Sequence, residues 1–216
     1  MSDCVKTPRV ATPGLRKETS DAVFALLSEK FAAVRDADAP KDFSVVVDAS
    51  KVHDVIRFLR DDKACGFDML LDIVGVDYLG FKDYEGPRFA VEYLLKNVYD
   101  PAKRIRVKAK VAEGASVPTV SDLFPIADWQ EREVWDQYGI VFAGHPDLRR
   151  LLNHAEFVGH PLRKDYPAQK RQWLSTNDYL LPALEKKLES MGYRIVKRSK
   201  EVMTNDDEYL EGSIRK

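Results

Sequence analysis

Cysteine is nearly absent. Cys4 and Cys65 are the only two in 216 residues, too few and too far apart for a disulfide framework, a zinc knuckle or an iron–sulfur cluster. The simplest reading is a reduced intracellular protein. Long apolar runs are missing too: none approaches the roughly 20 residues that cross a bilayer, and the opening "MSDCVKTPRVATPGLRKETS" has no secretory core. Its Thr, Ser and basic residues weakly suggest an organelle transit peptide, but Asp3 and Glu18 interrupt them, so a bacterial setting is preferred. Net charge is lacking as well. Lys+Arg 34 against Asp+Glu 35 leave −1, which gives no global field for nucleic acid or anionic lipid. Any electrostatic partner must be met locally.

What is present begins with periodicity. Val23, Leu26, Leu27, Phe31 and Val34 follow one helix face, with Thr19 or Ser20 as a possible cap. Phe43 to Val47 is a short β-branched run, and Ser50 caps a second helix carrying Val52, Val55, Ile56 and Leu59. Extended runs at Phe67 to Val76, Arg88 to Lys96 and Arg104 to Val111 follow, with short turns between them that favour antiparallel pairing. The last run alternates Ile105, Val107, Ala109 and Val111 with Arg104, Arg106, Lys108 and Lys110. No aromatic joins the cations to stack bases, so they read as a solvated face, or a lysine-protected edge, in preference to an RNA platform. The fold expected is α+β: a mostly antiparallel sheet with helices packed on it.

Beyond Leu151, Pro161, Pro167 and Pro182 punctuate the chain and apolar periodicity fades until Tyr179 to Leu188. The organisation expected is a tail over 1–18, an α+β domain over 19–150, and an extended proline-punctuated C-terminal arm over 151–216. Such an arm stays disordered or wraps a neighbour. His145 to Arg171 holds six Lys/Arg against three Asp/Glu, whereas Glu201 to Glu211 has five acids and no base and reads as a solvated tail.

The densest chemistry lies between Glu131 and Asp165. Gly-His-Pro occurs twice ahead of paired bases, at Gly144-His145-Pro146 before Arg149-Arg150 and at Gly159-His160-Pro161 before Arg163-Lys164. No activated nucleophile, phosphate loop or metal-ligand spacing accompanies them, and charge, proline and aromatics mark a docking surface. Asp128, Glu131, Glu133 and Asp136 could serve a hydrolase, yet Asp128, Arg132 and Asp136 at i, i+4, i+8 read better as an ion-pair ladder worth about 0.2–0.5 kcal/mol per pair. Trp129 and Trp135 on the same helix suit an anchoring role. His145, His154 and His160 share no helix or strand face, so zinc is disfavoured. Each Gly-His-Pro histidine is either an imidazole bonding a nearby carbonyl or carboxylate, or an exposed turn residue. Asp72 and Asp77 flank an apolar strand, and either of them, if buried, needs a partner.

Taken together, "LLDIVGVDYL", "RFAVEYLL", "RIRVKAKV", "ADWQEREVWDQYGIVFAGHPDLRRLL" and "GHPLRKDYP" resemble, in order and spacing, the 30 kDa subunit family of bacterial respiratory complex I, the NADH:quinone oxidoreductase. The resemblance covers about Phe67 to Pro167, with Gln137 standing where the family usually has an apolar residue. It implies a peripheral-arm subunit with no catalytic, cofactor or metal site of its own, packed beside the 49 kDa-type quinone-site subunit. FMN, iron–sulfur clusters and quinone would belong to partner subunits. The interface residues would be Trp129, Glu131, Arg132, Glu133, Trp135, Asp136, His145, Pro146, Arg149, Arg150, His160, Pro161, Arg163, Lys164 and Asp165, with Arg163 and Lys164 set against an acidic neighbour. The location implied is the cytoplasmic face of the bacterial inner membrane, reached through the complex alone, ahead of the mitochondrial matrix side. A subunit of a membrane-bound hydrogenase or a ferredoxin-fed relative is the alternative, with a carboxylate hydrolase or an RNA-binding module more remote.

Overall fold

The computed structural model describes residues 17–37, 43–82, 84–100, 103–170, 172 and 177–193. Helix α1 spans Lys17–Phe31, strand β1 Val34–Arg35 and β2 Ser44–Asp48. Thr19 and Ser20 therefore lie inside α1 and do not cap it. A 3-10 turn, Ala49–Lys51, leads into α2, Val52–Asp61. Ser50 does not cap α2, whose N-cap position is Lys51 with no side-chain bond; Asp48 caps the 3-10 turn, and the Ser50 amide and hydroxyl both donate to Asp48 Oδ1, at 2.8 and 2.6 Å. The carboxylate two residues earlier reaches the free amide, and the serine donates to it.

Strands β3, Met69–Asp77, β4, Phe89–Lys96, and β5, Arg104–Val111, complete a five-stranded sheet in the order β1-β2-β5-β4-β3. β4 pairs antiparallel with both β3 and β5, β1 antiparallel with β2, and β2 parallel with β5. A parallel pair needs a long crossover, and α2 with the β3–β4 hairpin supplies it. The fold is thus the expected α+β arrangement with a mostly antiparallel sheet.

Register places Phe89, Val91, Tyr93 and Leu95 opposite Val111, Ala109, Val107 and Ile105. All are buried, with Val45 and Val47 beside them, under Val23 and Leu27 of α1 and Val52, Val55, Ile56 and Leu59 of α2. Cooperative burial of this one sheet face, at about 25 cal/mol per Å² of apolar surface removed from water, is the main stabilising term.

The opposite face corrects the reading of β5. It is an inner strand, not an edge, and its cations are not all solvated. Lys108 is 4% exposed, with its ammonium 3.0 Å from Asp36 and 3.5 Å from Glu92. The register explains why: Glu92 stands directly across from Lys108, and Arg106 reaches the same carboxylate at 3.5 Å. A cation on a central strand is held between carboxylates, and this weakens the RNA-platform reading further.

Strand β6, Ser116–Pro118, helix α3, Ala127–Tyr138, and strand β7, Val141–Ala143, follow, β6 and β7 forming a small parallel pair. α3 lies on β3 at Gly75, where a Cβ would fall 2.6 Å from the Tyr138 ring. The last helix, α4, spans Asn177–Ser190 with Pro182 inside it. Residues 1–16 of the tail, and the acidic stretch from Glu201 to Glu211, lie outside the described residues.

Candidate functional site

α3 carries the charged residues singled out in the sequence, and it ends at Gly139 in the left-handed conformation, φ +76°. The chain then turns through β7 and returns along α3 as a strap, residues 145–166. The structure lays this first part of the arm against the chain's own α3 and β3.

Asp136 organises the strap. Its side chain is fully buried, and one oxygen accepts from Arg150 Nη1 at 2.6 Å. The other accepts from the amides of Leu151, Leu152 and Asn153 at 3.1, 2.9 and 2.8 Å. Burial pushes this carboxyl up, but the amides and the Arg150 guanidinium outweigh burial and hold it below the usual carboxylate range. The i, i+4, i+8 ladder is replaced by this arrangement. Arg132, 8% exposed, donates to the carbonyls of Arg149 and Arg150, both at 3.2 Å. The returning strap brings backbone carbonyls to Arg132 and backbone amides to Asp136.

Glu131 is equally buried but differs in character. It accepts from the Thr119 hydroxyl and, at 2.7 Å, from the Val120 amide. These two donors do not offset desolvation, so burial pushes its carboxyl up. The fully buried Tyr93 phenol is likewise pushed up by burial, with the Glu131 charge adding to it.

Both Gly-His-Pro turns bond through their imidazoles. His145 is wholly enclosed; the Asp147 amide donates to its Nδ1 at 3.1 Å, which leaves Nε2 to donate to the Asp128 carbonyl, also at 3.1 Å. His160 Nδ1 meets the Asp136 carbonyl at 3.0 Å, and burial pushes its pKa down. Its ring stands edge-on to Trp135, and the Arg150 guanidinium lies over the Trp135 and Phe157 rings.

A second hub has no signature in local sequence. Arg88 donates to Asp77 at 3.0 and 3.1 Å, to Glu113 at 3.1 Å and to Asp165 at 2.7 Å. Arg163 bonds the Tyr138 carbonyl at 2.6 Å and Glu113 at 3.2 Å, and the Lys164 amide donates to Asp77 at 2.9 Å. Asp77 thus has the partner that a buried aspartate needs: burial raises its pKa, and Arg88 with the Lys164 and Leu79 amides more than reverses that. Nothing in sequence spacing ties residue 77 to 88, 113 and 165; only the composition of the strand ends hints at it.

The candidate residues therefore divide. Arg132, Trp135, Asp136, His145, Arg150, His160 and Arg163 are buried or half-buried and link the strap to α3; Glu131 is buried against Thr119 and Val120, and Pro161 is half-buried. Trp129, Glu133, Pro146, Arg149 and Lys164 are exposed, with Asp165 half-exposed on Arg88. The strap adds Leu152, Val158 and Leu162, exposed apolar side chains that periodicity does not single out. Nearby, an open cleft of about 700 Å³ is lined by His53, Thr119, Asp122, Asp128 and Pro146, with His53 Nε2 2.9 Å from Asp122. Among the described residues, no three His, Cys, Asp or Glu side chains are grouped to hold a metal ion.

Fold and site define a charge-braced α+β module whose charged helix is the template for its own returning loop. The family model described as respiratory-chain NADH dehydrogenase, 30 Kd subunit, matches residues 45–172, over half the chain, and the chain belongs to that family. The C subunit of NADH-quinone oxidoreductase from Methylobacterium sp. (strain 4-46) is 48% identical over 136 residues, 63% of this chain and 61% of that relative. Its counterpart from Burkholderia mallei (strain SAVP1) is 47% identical over 138 residues, 62% of this chain and 69% of the relative. Among solved structures, "Nqo5 of the trypsin-resistant fragment (1-134)" superposes with a TM-score of 0.51 at 36% identity, over 60% of this chain and 99% of that one. The family match ends at 172, ahead of α4.

Proposed function

We propose that this chain is a peripheral-arm subunit of a proton-translocating NADH:quinone oxidoreductase, without a catalytic or cofactor site of its own. It braces the 49 kDa-type quinone-site subunit while electrons pass from NADH, through FMN and iron–sulfur clusters held by other subunits, to quinone. The observation that carries this reading is the family match over 45–172, which spans the sheet from β2 onward, α3 and the whole strap. The names of the relatives favour an NADH-fed complex over a hydrogenase or ferredoxin-fed one. The site's chemistry agrees with a positioning role: of the four carboxylates of the hydrolase reading, Glu131 and Asp136 are buried in fold contacts, while Asp128 is half-buried and Glu133 exposed.

The docking face would consist of Trp129, Glu133, Pro146, Arg149 and Lys164 with the apolar strap residues, while the buried candidates hold that face rigid. Among the described residues no helix is long and apolar enough to cross a membrane, and the reading places the chain on the cytoplasmic face of the inner membrane through its partners. Tagging the chain in its own cell, solubilising the membranes gently and assaying the purified material tests this. A large assembly with iron–sulfur absorbance and NADH-driven quinone reduction is expected. A colourless chain recovered alone would overturn the proposal.

A further inference from the structure

Arg150 and Arg163 of the strap face the domain, whereas Leu152, Val158 and Leu162 are 63%, 68% and 51% exposed, with Arg149 and Lys164 exposed beside them. Two of the contacts that hold the strap are charged clasps, and they differ in what opening would leave behind; the bonds of the Leu162 amide to the Gln137 carbonyl and of Gln172 to Val158 hold it as well. At the inner clasp, the donors to the Asp136 carboxylate belong to the strap: Arg150 and the amides of 151, 152 and 153. Lifting that half would take all of these donors from the Asp136 carboxylate at once, which is strongly unfavourable. At the outer clasp the position is reversed. Asp77 keeps Arg88, its neighbour on the sheet, whether or not the strap is closed. Opening there breaks the bonds of the Lys164 amide to Asp77, of Asp165 to Arg88, and of Arg163 to Glu113 and the Tyr138 carbonyl. Asp165 and Glu113 have about half of their side-chain surface in water, so their attraction is screened by salt.

We infer that the strap is a two-stage latch: the outer clasp at Arg163–Asp165 releases as a unit while the inner clasp and the sheet core stay closed. Release frees Arg163, Lys164 and Asp165 from the sheet, while Gln172 still ties the chain to the Val158 backbone at 2.7 Å in both directions. The strap then offers a neighbour a fixed half and a movable half. The latch is a property of the chain by itself and does not depend on the proposed assembly.

Native-state hydrogen exchange on the full chain tests the inference, with Asp165→Asn as the variant because it removes one half-exposed contact and strands no buried charge. The Lys164 amide is expected to exchange about tenfold faster in Asp165→Asn, and faster again on raising salt to roughly 0.5 M, whereas the Leu152, Asn153 and Val107 amides hold their rates. Glu113→Gln should act in the same direction. Lys164 and Leu152 moving together would show a single cooperative strap and overturn the inference. So would a Lys164 amide that is unprotected in the wild type, or one that neither substitution changes.

Discussion

Asp136 and Arg150 meet at 2.6 Å across fourteen residues of chain, and the same carboxylate collects the three amides that follow Arg150. One side chain on α3 therefore sets the path of the whole inner strap. Asp136→Asn keeps the shape but removes the charge and turns an acceptor into a donor facing Arg150 or the amides. A loss of about 3–5 kcal/mol is expected, as for a broken buried pair, read as a lower melting temperature. The pH dependence has a definite sign. Because the folded carboxyl lies below its usual value, its contribution is complete above the unfolded pKa of about 4 and is lost as pH falls through the lower, folded value. The variant should lack this acid-side decline; a parallel decline in both proteins would count against the assignment.

Glu131 sits five residues earlier on the same helix and should behave oppositely. Burial raises its folded pKa, so its contribution to stability is complete below the unfolded value of about 4.3 and is lost as pH rises through the folded one. Glu131→Gln can still accept from the Val120 amide and can donate to the Thr119 hydroxyl. The variant is expected to match or exceed the wild type at neutral pH, with the difference vanishing below about pH 4. Melting curves at several pH values check it, and a variant weakened at neutral pH would mean the Glu131 charge is needed.

How much of this is legible in the sequence follows from locality. The β5 alternation identifies the buried face because side-chain period is a local property, and the family motifs identify the class. What escapes a reading of the residues is non-local. Lys108 reads as solvated because nothing near it in sequence announces Asp36 or Glu92, and the Arg132 ladder suggests itself because helix spacing sees only its own helix. The strap that takes over Arg132 and Asp136 arrives from more than a dozen residues downstream. Arg88 escapes notice for the same reason: its carboxylate partners, Asp77, Glu113 and Asp165, converge from three separate stretches of chain.

Two glycines are required by approach distance. At Gly75 a Cβ would fall 2.6 Å from the Tyr138 ring, so Gly75→Ala should push α3 off β3 and cost about 1–3 kcal/mol. At Gly139, φ is +76° and a Cβ would lie 2.5 Å from Arg163 Nη2 and 2.6 Å from the His160 ring. Gly139→Ala adds left-handed strain of about 1–2 kcal/mol and displaces the strap as well. Denaturant unfolding should show both losses, and in Gly139→Ala the Leu162 amide, which donates to the Gln137 carbonyl at 3.1 Å, should also lose protection. Wild-type stability in either variant would contradict the packing described.

The division between bracing and docking residues can be tested on one helix. Arg132 is 8% exposed, lies over the Trp129 ring at 6.0 Å, and donates to two strap carbonyls. Arg132→Ala leaves those acceptors without that donor, so about 1–3 kcal/mol of fold stability should go, and assembly should fall because the strap is loosened. Trp129 is 61% exposed, and its ring lies under the Arg132 guanidinium. Trp129→Ala should change stability by no more than about 0.5 kcal/mol, yet weaken association by about 2 kcal/mol, roughly thirtyfold, if it is an interface anchor. Melting of the isolated chain, set beside copurification of partner subunits from solubilised membranes, separates the two effects. A Trp129→Ala chain that copurifies at wild-type yield would remove Trp129 from the docking face, because a residue so exposed has little structural duty to mask the loss.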